Sequence, residues 1–476
     1  MGLLMGSTQD FIAVARQRLG AKGVIDDASD IEPWLTDWRG RYHGASPAIL
    51  APSSTEEVAA IVSLAREHGV PLVPQGGNTS MCGGATPSDD GSQLILSLRR
   101  MNRLRSISAA NRLAVAEAGM ILSDLHDRAA EAGCRFPMTL GAKGSATIGG
   151  LIATNAGGTQ VLRFGTMRSL VAGVEAVLPD GSIHNGLAAL KKDNRGYSLD
   201  HLLVGSEGTI GIITAASLRL WPAVAARTTA WIGVADPQRA LDLLHFLEAR
   251  TDAVEGFEIV PASTLGLVLK HIPNTRNPLS GDHAWHLLVE ATTSGDGDAL
   301  RAEMETYLGE ALESGLIADA AIAANEAQAE AFWHLRDSIA EAERAEGGSL
   351  AHDISVPVGD MPRFIMEAGA EVERAFPGSR VAAFGHLGDG NVHFHVHVPK
   401  GGDGWAWNDG QSQSISRLVY DLVTAAGGSI SAEHGIGQAK IDEFERLAPP
   451  ARVAAVRAIK HALDPNNIMN PGKLVR

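Results

Sequence analysis

The sequence predicts an α+β protein of two or three domains, and three observations carry that expectation. At 476 residues the chain exceeds what one hydrophobic core usually organises. Short strand-like runs alternate with amphipathic helices, without a repeat of 20–50 residues. Glycine-rich loops crowd one region, between residues 74 and 212, instead of being spread evenly.

The elements follow in order. An amphipathic helix is expected around Asp10–Leu19, before a tryptophan-containing linker. Ser54-Thr55-Glu56-Glu57 reads as a capping box opening a helix, with Val58, Ile61, Val62 and Ala65 as its buried stripe and Gly69 as its end. A strand follows at Val70–Val73, then further strands at Leu94–Leu98 and Ala114–Glu117. Beyond Trp221-Pro222, helices at Pro237–Ala249, Asp298–Ser314 and Glu326–Ala345 alternate with strands. That pattern predicts an antiparallel sheet covered by helices on one side. Helix Ser412–Ala426, a strand-like Gly428–Ala432 and a last helix near Pro450–Leu463 complete the chain.

Composition narrows the function. The formal net charge is −15 and no basic cluster offsets it, which argues against nucleic acid as a partner. An anionic substrate must then be drawn in by local cations or a metal. Two cysteines, Cys82 and Cys134, exclude a disulfide framework and a cysteine-rich metal module, and suit a reducing compartment. No run of 18 apolar residues and no secretory leader pattern is present. Met1-Gly2 lacks the Ser or Thr at position 6 that myristoylation expects. The cytoplasm is the expected compartment.

Three loops carry the first chemical signal: Pro74-Gln75-Gly76-Gly77-Asn78-Thr79-Ser80-Met81, Leu140–Gly150 leading to Asn155-Ala156-Gly157-Gly158, and Val204–Ile212. Glycine lets backbone N–H groups converge on an anion, and Ser, Thr and Asn add donors. None matches a Rossmann fingerprint or a P-loop. The residues by themselves indicate a dinucleotide-like anion.

These loops, with Arg163-Phe164-Gly165-Thr166 and Lys192-Asp193-Asn194, resemble the PCMH-type FAD-binding domain of the vanillyl-alcohol oxidase/p-cresol methylhydroxylase superfamily, from Ser46 to Trp221. The resemblance implies that Pro74, Gln75, Gly76, Gly77, Asn78, Thr79, Ser80 and Met81 wrap the FAD diphosphate. Gly141, Ala142, Ser145, Thr147, Gly149 and Gly150 would lie along the ribitol and isoalloxazine, and Gly208 and Ile212 on the adenine side. Pro137, Asn155, Ala156, Gly158 and Asn470 are expected to touch the cofactor as well. The first loop contains no histidine, so FAD is expected to bind non-covalently. Domains are expected at 1–45 (helix and linker), 46–222 (FAD-binding), 223–425 (substrate or cap domain) and 426–476 (a helical segment returning to the FAD domain).

The second signal is Phe384-Gly385-His386-Leu387-Gly388-Asp389-Gly390-Asn391-Val392-His393-Phe394-His395-Val396-His397. It reads as a strand, a tight turn and a return strand. Period two puts His393, His395 and His397 on one face, with Val392, Phe394, Val396 and Val398 on the other. His386 and His393 can converge beside the turn, as metal ligands do. Imidazole with carboxylate suits zinc or a similar divalent ion, and Glu433 in Ser431-Ala432-Glu433-His434-Gly435 is the candidate third ligand.

This half, through Asp464–Lys473, is similar to the D-2-hydroxyglutarate dehydrogenase and D-lactate dehydrogenase branch of that superfamily. The similarity implies metal ligation by His386, His393 and Glu433, a base at His434 and a carboxylate-gripping Arg336. Substrate contacts are expected from Arg336, His395 and His434. The reaction implied is oxidation of a small anionic D-2-hydroxy acid, with hydride passing to flavin N5. An electron-transfer flavoprotein, quinone or cytochrome would accept the electrons, and a homodimer is the expected assembly. The pattern breaks at Ala340, Ala351 and His395, where a hydroxyl residue, a lysine and an asparagine are expected. These departures favour a shorter or differently shaped acid, with His352 and His395 as substitute contacts. A flavin oxidase using oxygen is the alternative enzyme. A non-catalytic electron-transfer subunit would not need the His/Glu set, and a structural metal protein would not need the glycine loops.

Overall fold

The computed structural model describes residues 2–397 and 404–476, with side chains for 8–397 and 411–476. Val398, expected on the apolar strand face, and Met1 lie outside them. The chain forms two compact units. The first comprises residues 1–158, 165–223 and 433–476, and the second 159–164 and 224–432.

In the first unit, β1 (Val24–Ile25), β2 (Ile49–Leu50), β3 (Leu72–Gln75) and β4 (Leu94–Ser97) make a mixed sheet in the order β1-β2-β4-β3. The helix Thr55–His68 begins as its capping residues dictate. Ser54 Oγ accepts the Glu57 N–H, and Gly69 closes the helix in the left-handed conformation at φ +65°. Val58, Ile61, Val62 and Ala65 are fully buried, as the stripe predicts. The expected strand Val70–Val73 lies two residues further on, and the sheet edge at Leu72 is completed from the far end of the chain. Leu72 N donates to Ile468 O, and Asn470 N to Leu72 O. β5 (Leu104–Ser108), β6 (Leu113–Glu117), β8 (Val171–Val177), β9 (Ile183–Asn185) and β10 (Ile212–Arg219) form an antiparallel sheet in the order β5-β6-β10-β8-β9. A small ribbon pairs β7 (Cys134–Arg135) with β11 (Trp221–Pro222).

The second unit is built on a seven-stranded antiparallel sheet of β12 (Ala226–Val234), β13 (Val254–Pro261), β14 (Trp285–Thr293), β15 (Asp319–Ile322), β16 (Ser349–Ser355), β17 (Arg380–His386) and β18 (Asn391–His397). Its order is β15-β12-β14-β13-β17-β18-β16. Helices cover both faces, not one. Trp231, Val260, Leu288 and Phe384 pack on the helices Ala262–His271, Glu326–Asp337 and Ile339–Glu346. On the opposite face Phe394 meets Phe364 of the helix Met361–Ala375. The central strand β13 is buried at every position, so both of its faces are covered and its sequence does not say what covers each. The helix expected at Glu326–Ala345 divides at Ser338, whose N–H bonds to His334 O. Residues 428–432 form no strand but a single bridge, Ser429 to Ser355.

Candidate functional site

In the first unit the three glycine loops come together. Pro74 and Gln75 end β3, and the loop from Gly76 to Met81 passes directly beneath residues 145–147. A Cβ on Gly76 would stand 2.1 Å from Thr147 Oγ1, and one on Gly77 would stand 1.9 Å from Ser145 O. Gly208, at φ +71°, closes on the Pro74 ring, where a Cβ would sit 2.9 Å from Cγ. Only glycine permits these approaches.

Other expected cofactor residues join this cluster in different ways. Thr147 precedes the helix Ile148–Thr154, which contains Gly149 and Gly150. Gly149 is pressed on Ala118, whose carbonyl takes its N–H at 2.7 Å. Asn155 caps that helix at φ +50° and accepts Thr166 Oγ1 and Arg168 N. Ala156 is buried and Gly158 abuts Thr139 O. Pro137 is buried within the stretch Phe136–Met138, and Gly141 and Ala142 form an open turn. Ile212 opens β10 in the core. Asn470, from the returning segment, donates to Gly84 O and Glu207 O.

Some side chains are committed to the fold. Gln75 donates to Trp34 O and Ala85 O, and Asn78, at φ +53°, to Thr36 O. Ser80 Oγ accepts Gly84 N, and Met81 Sδ meets Arg39. Thr79 lies half-buried between them. Three polar atoms close to the loops, Thr147 Oγ1, Ser206 Oγ and Asn470 Oδ1, are buried without a hydrogen-bond partner. Buried polar atoms rarely remain so, and a ligand rich in donors and acceptors would satisfy them. A glycine cradle lined by such atoms fits FAD.

Glu433 and His434 open the returning segment of this unit, directly after Ala432. The turn behind them is fixed by Glu207, whose carboxylate accepts Ile436 N at 2.8 Å and Gly437 N at 2.7 Å. Burial pushes the Glu207 carboxyl up, against the two N–H groups and the nearby Lys440 and Lys473. Lys473 is in turn lowered to about 8 by burial, with Glu207 opposing. Glu207 escaped the sequence reading because it stands inside a loop where glycine drew the attention.

The histidine hairpin lies in the second unit. Gly390, at φ +79°, allows the turn to lie against Val356 O, and Leu162 packs on Gly388. The His386 and His393 rings converge at 5.3 Å between centroids. Two imidazoles on one tetrahedral ion, each bound at about 2.1 Å, would have centroids about 5 Å apart. His386 is nearly buried, and its Nδ1 is 2.5 Å from Glu258 Oε1, which directs Nε2 away from the carboxylate. Burial chiefly, with Arg336 and His386 adding to it, holds His393 well below the usual histidine value, so its imidazole is neutral and able to ligate. Burial likewise pushes Asp389 in the turn up to about 6.

Arg336 stands over Phe384 and places Nε 2.7 Å from Glu258 Oε2. Glu258 was not anticipated, although a lone acid within the apolar run Phe257-Glu258-Ile259-Val260 is a readable sign of a buried partner. His395 and His397 share Glu343, at 2.6 Å from His395 Nδ1 and 3.1 Å from His397 Nε2. Burial alone would raise the Glu343 carboxyl, but the two histidines bring it to about 2. His352 does not share the face of His395. It pairs across the sheet with Phe394 and turns to Ser416, because its odd register places it on the other layer.

Residues 46–186 match the FAD binding domain family, and residues 224–474 match the family of FAD linked oxidases, C-terminal domain. The D-2-hydroxyglutarate dehydrogenase of Xanthomonas citri pv. viticola is 34% identical over 471 residues, covering 98% of this chain and 97% of that protein. The mitochondrial D-2-hydroxyglutarate dehydrogenase of Arabidopsis thaliana is 36% identical, over 98% of this chain and 81% of that protein. Among solved structures, p-cresol methylhydroxylase with substrate bound shares the fold at a TM-score of 0.77 with 16% identity, over 98% of this chain and 96% of that one. No described helix is long and apolar enough to cross a membrane. The chain is therefore an FAD-linked oxidoreductase of the FAD linked oxidase family, and within it a member of the D-2-hydroxyglutarate dehydrogenase family.

Proposed function

We propose that this protein is an FAD-dependent, divalent-metal-assisted dehydrogenase of a small D-2-hydroxy acid. The observation that supports this most is the hairpin pair, a carboxylate-tethered His386 beside a neutral His393, in a chain with a glycine cradle of the FAD-linked type. His386, His393 and Glu433 would hold the metal, with zinc the natural choice for two imidazoles and a carboxylate. The cofactor set expected from the sequence, Pro74 to Met81 with Pro137, Gly141, Ala142, Ser145, Thr147, Gly149, Gly150, Asn155, Ala156, Gly158, Gly208, Ile212 and Asn470, would hold FAD.

When bound, FAD supplies a hydride acceptor at N5 and the divalent ion lowers the pKa of the substrate hydroxyl. The chain does the rest. Arg336 grips the carboxylate of the acid through its terminal nitrogens, which its bond to Glu258 at Nε does not occupy. His434 takes the hydroxyl proton at a ring nitrogen, work suited to imidazole near neutrality. His395 contacts the remainder of the substrate. Its cross-strand neighbours are Ala351 and Ala382, neither of which brings a cation to a second carboxylate. With Ala340 and Ala351 lacking donors, the substrate is D-2-hydroxyglutarate, D-lactate or a similar acid, and a shorter or differently shaped one fits the pocket's chemistry. An electron-transfer flavoprotein, quinone or cytochrome would reoxidise the flavin. Two buried cysteines outside any disulfide suit a reducing compartment such as the cytoplasm.

The test is a panel of D- and L-2-hydroxy acids, mono- and dicarboxylic, with an artificial acceptor, before and after chelation and metal restoration. The reading expects D-selective turnover that disappears on chelation and returns with zinc. Full activity after verified metal removal, or preference for an L-acid, overturns it.

A further inference from the structure

One carboxylate touches two of the groups proposed above. Glu258 lies on β13, opposite His386 on β17, and its side chain is fully buried. Each oxygen has its own partner: Oε1 is 2.5 Å from His386 Nδ1, and Oε2 is 2.7 Å from Arg336 Nε. The arginine comes from the helix Glu326–Asp337, its side chain only 11% exposed, so it reaches Glu258 from the helical layer. The two partners are held by opposite oxygens of a single rigid group.

We propose that Glu258 is a positioning residue that sets the His386 imidazole for metal and the Arg336 guanidinium for the substrate carboxylate, and thereby couples the two. The inference rests on the metal-assisted reading. Its physics is general. A metal-bound histidine is usually fixed in tautomer and ring angle by an acceptor on its other nitrogen. Here Nδ1–H donates to Glu258, which leaves the Nε2 lone pair for the ion. An arginine bound at Nε cannot rotate freely about its last bonds, so its terminal nitrogens face one direction. Because the same carboxylate serves both, displacing one partner releases the constraint on the other. Ordinary packing would not link metal affinity to an arginine on another element.

The experiment uses the full-length holoenzyme and measures zinc affinity by chelator competition, KM and kcat for the preferred acid, and FAD content. Glu258→Gln keeps the shape but turns an amide N–H₂ toward one donor. It should weaken zinc binding by about 10- to 100-fold and raise KM, with FAD content unchanged. Glu258→Asp, which keeps the charge and shortens the reach, should show smaller losses of both, and serves if the glutamine variant fails to fold. Arg336→Gln should raise KM and also loosen zinc, and that second effect should vanish in the Glu258→Gln background. Wild-type zinc affinity and KM in the folded Glu258 variants, or a full zinc effect of Arg336→Gln in both backgrounds, would overturn the coupling. A wild-type protein that takes up no divalent ion fails earlier, and its failure belongs to the metal-assisted reading itself.

Discussion

Single side chains in this protein act through neighbours far away in sequence. Glu258 and His386 are 128 residues apart, and Glu343 and His395 are 52 apart. The period-two spacing of His393, His395 and His397 gives their common face without knowledge of the fold. The acids, Glu343 on His395 and His397 and Glu258 on His386, depend on strand order and helix placement, which no local pattern specifies. Glu343 yields a pH prediction. Its carboxyl is brought from an ordinary 4.5 to about 2, so the folded form binds its proton less readily than the unfolded form. The stability it contributes is therefore present above about 4.5 and is lost as pH falls toward 2. Acid unfolding followed by circular dichroism should show a shallower dependence on pH between those values in Glu343→Gln than in the wild type. His434→Ala should abolish turnover and leave the flavin spectrum of the bound cofactor intact. Loss of FAD from that variant would assign the residue a structural task.

At the scale of elements, glycines separate into those that permit close approach and those that do not. Gly77→Ala forces a Cβ to 1.9 Å from Ser145 O, and neither loop can yield without moving backbone. It should lower the FAD-to-protein absorbance ratio and the Tm together. Gly266→Ala is the control, inside the helix Ala262–His271 with nothing near its added Cβ. It should raise stability by about 0.5–1 kcal/mol in a denaturant titration, because alanine orders a helix at lower entropic cost. The turn held by Glu207 behaves differently. A glutamine there can accept only one of the Ile436 and Gly437 N–H groups, leaving the other facing an amide. Glu207→Gln should cost about 1–3 kcal/mol and reduce kcat while FAD remains bound. Sequence patterns located the elements with strong signals to within a few residues: the capped helix after Ser54, the last helix and the histidine hairpin. The division at Ser338 and the second helical layer were not legible. A split helix keeps its periodicity, and a strand buried on both sides does not say what covers each side.

On the scale of the whole molecule, the glycine loops proposed for FAD and the two histidines proposed for the metal belong to different units of the chain. Chelation should therefore remove turnover while flavin absorbance stays with the protein on gel filtration, and zinc should restore the rate. Simultaneous loss of both cofactors would contradict that division. The FAD family was legible because its loops are contiguous in sequence, and the histidine hairpin for the same reason. The unit boundaries are a matter of contacts, and the path between them is unusual. Residues 159–164 belong to the second unit although the chain on either side belongs to the first, and residues 433–476 return to the first. The edge of β3 is thus closed at Leu72 by residues 468–470. During synthesis on a ribosome, the unit begun first must wait for residues 468–470, nearly 400 positions later, to emerge. Its strand edge at Leu72 stays open throughout that interval, so removal of residues 468–470 should leave that edge unpaired and prone to aggregation.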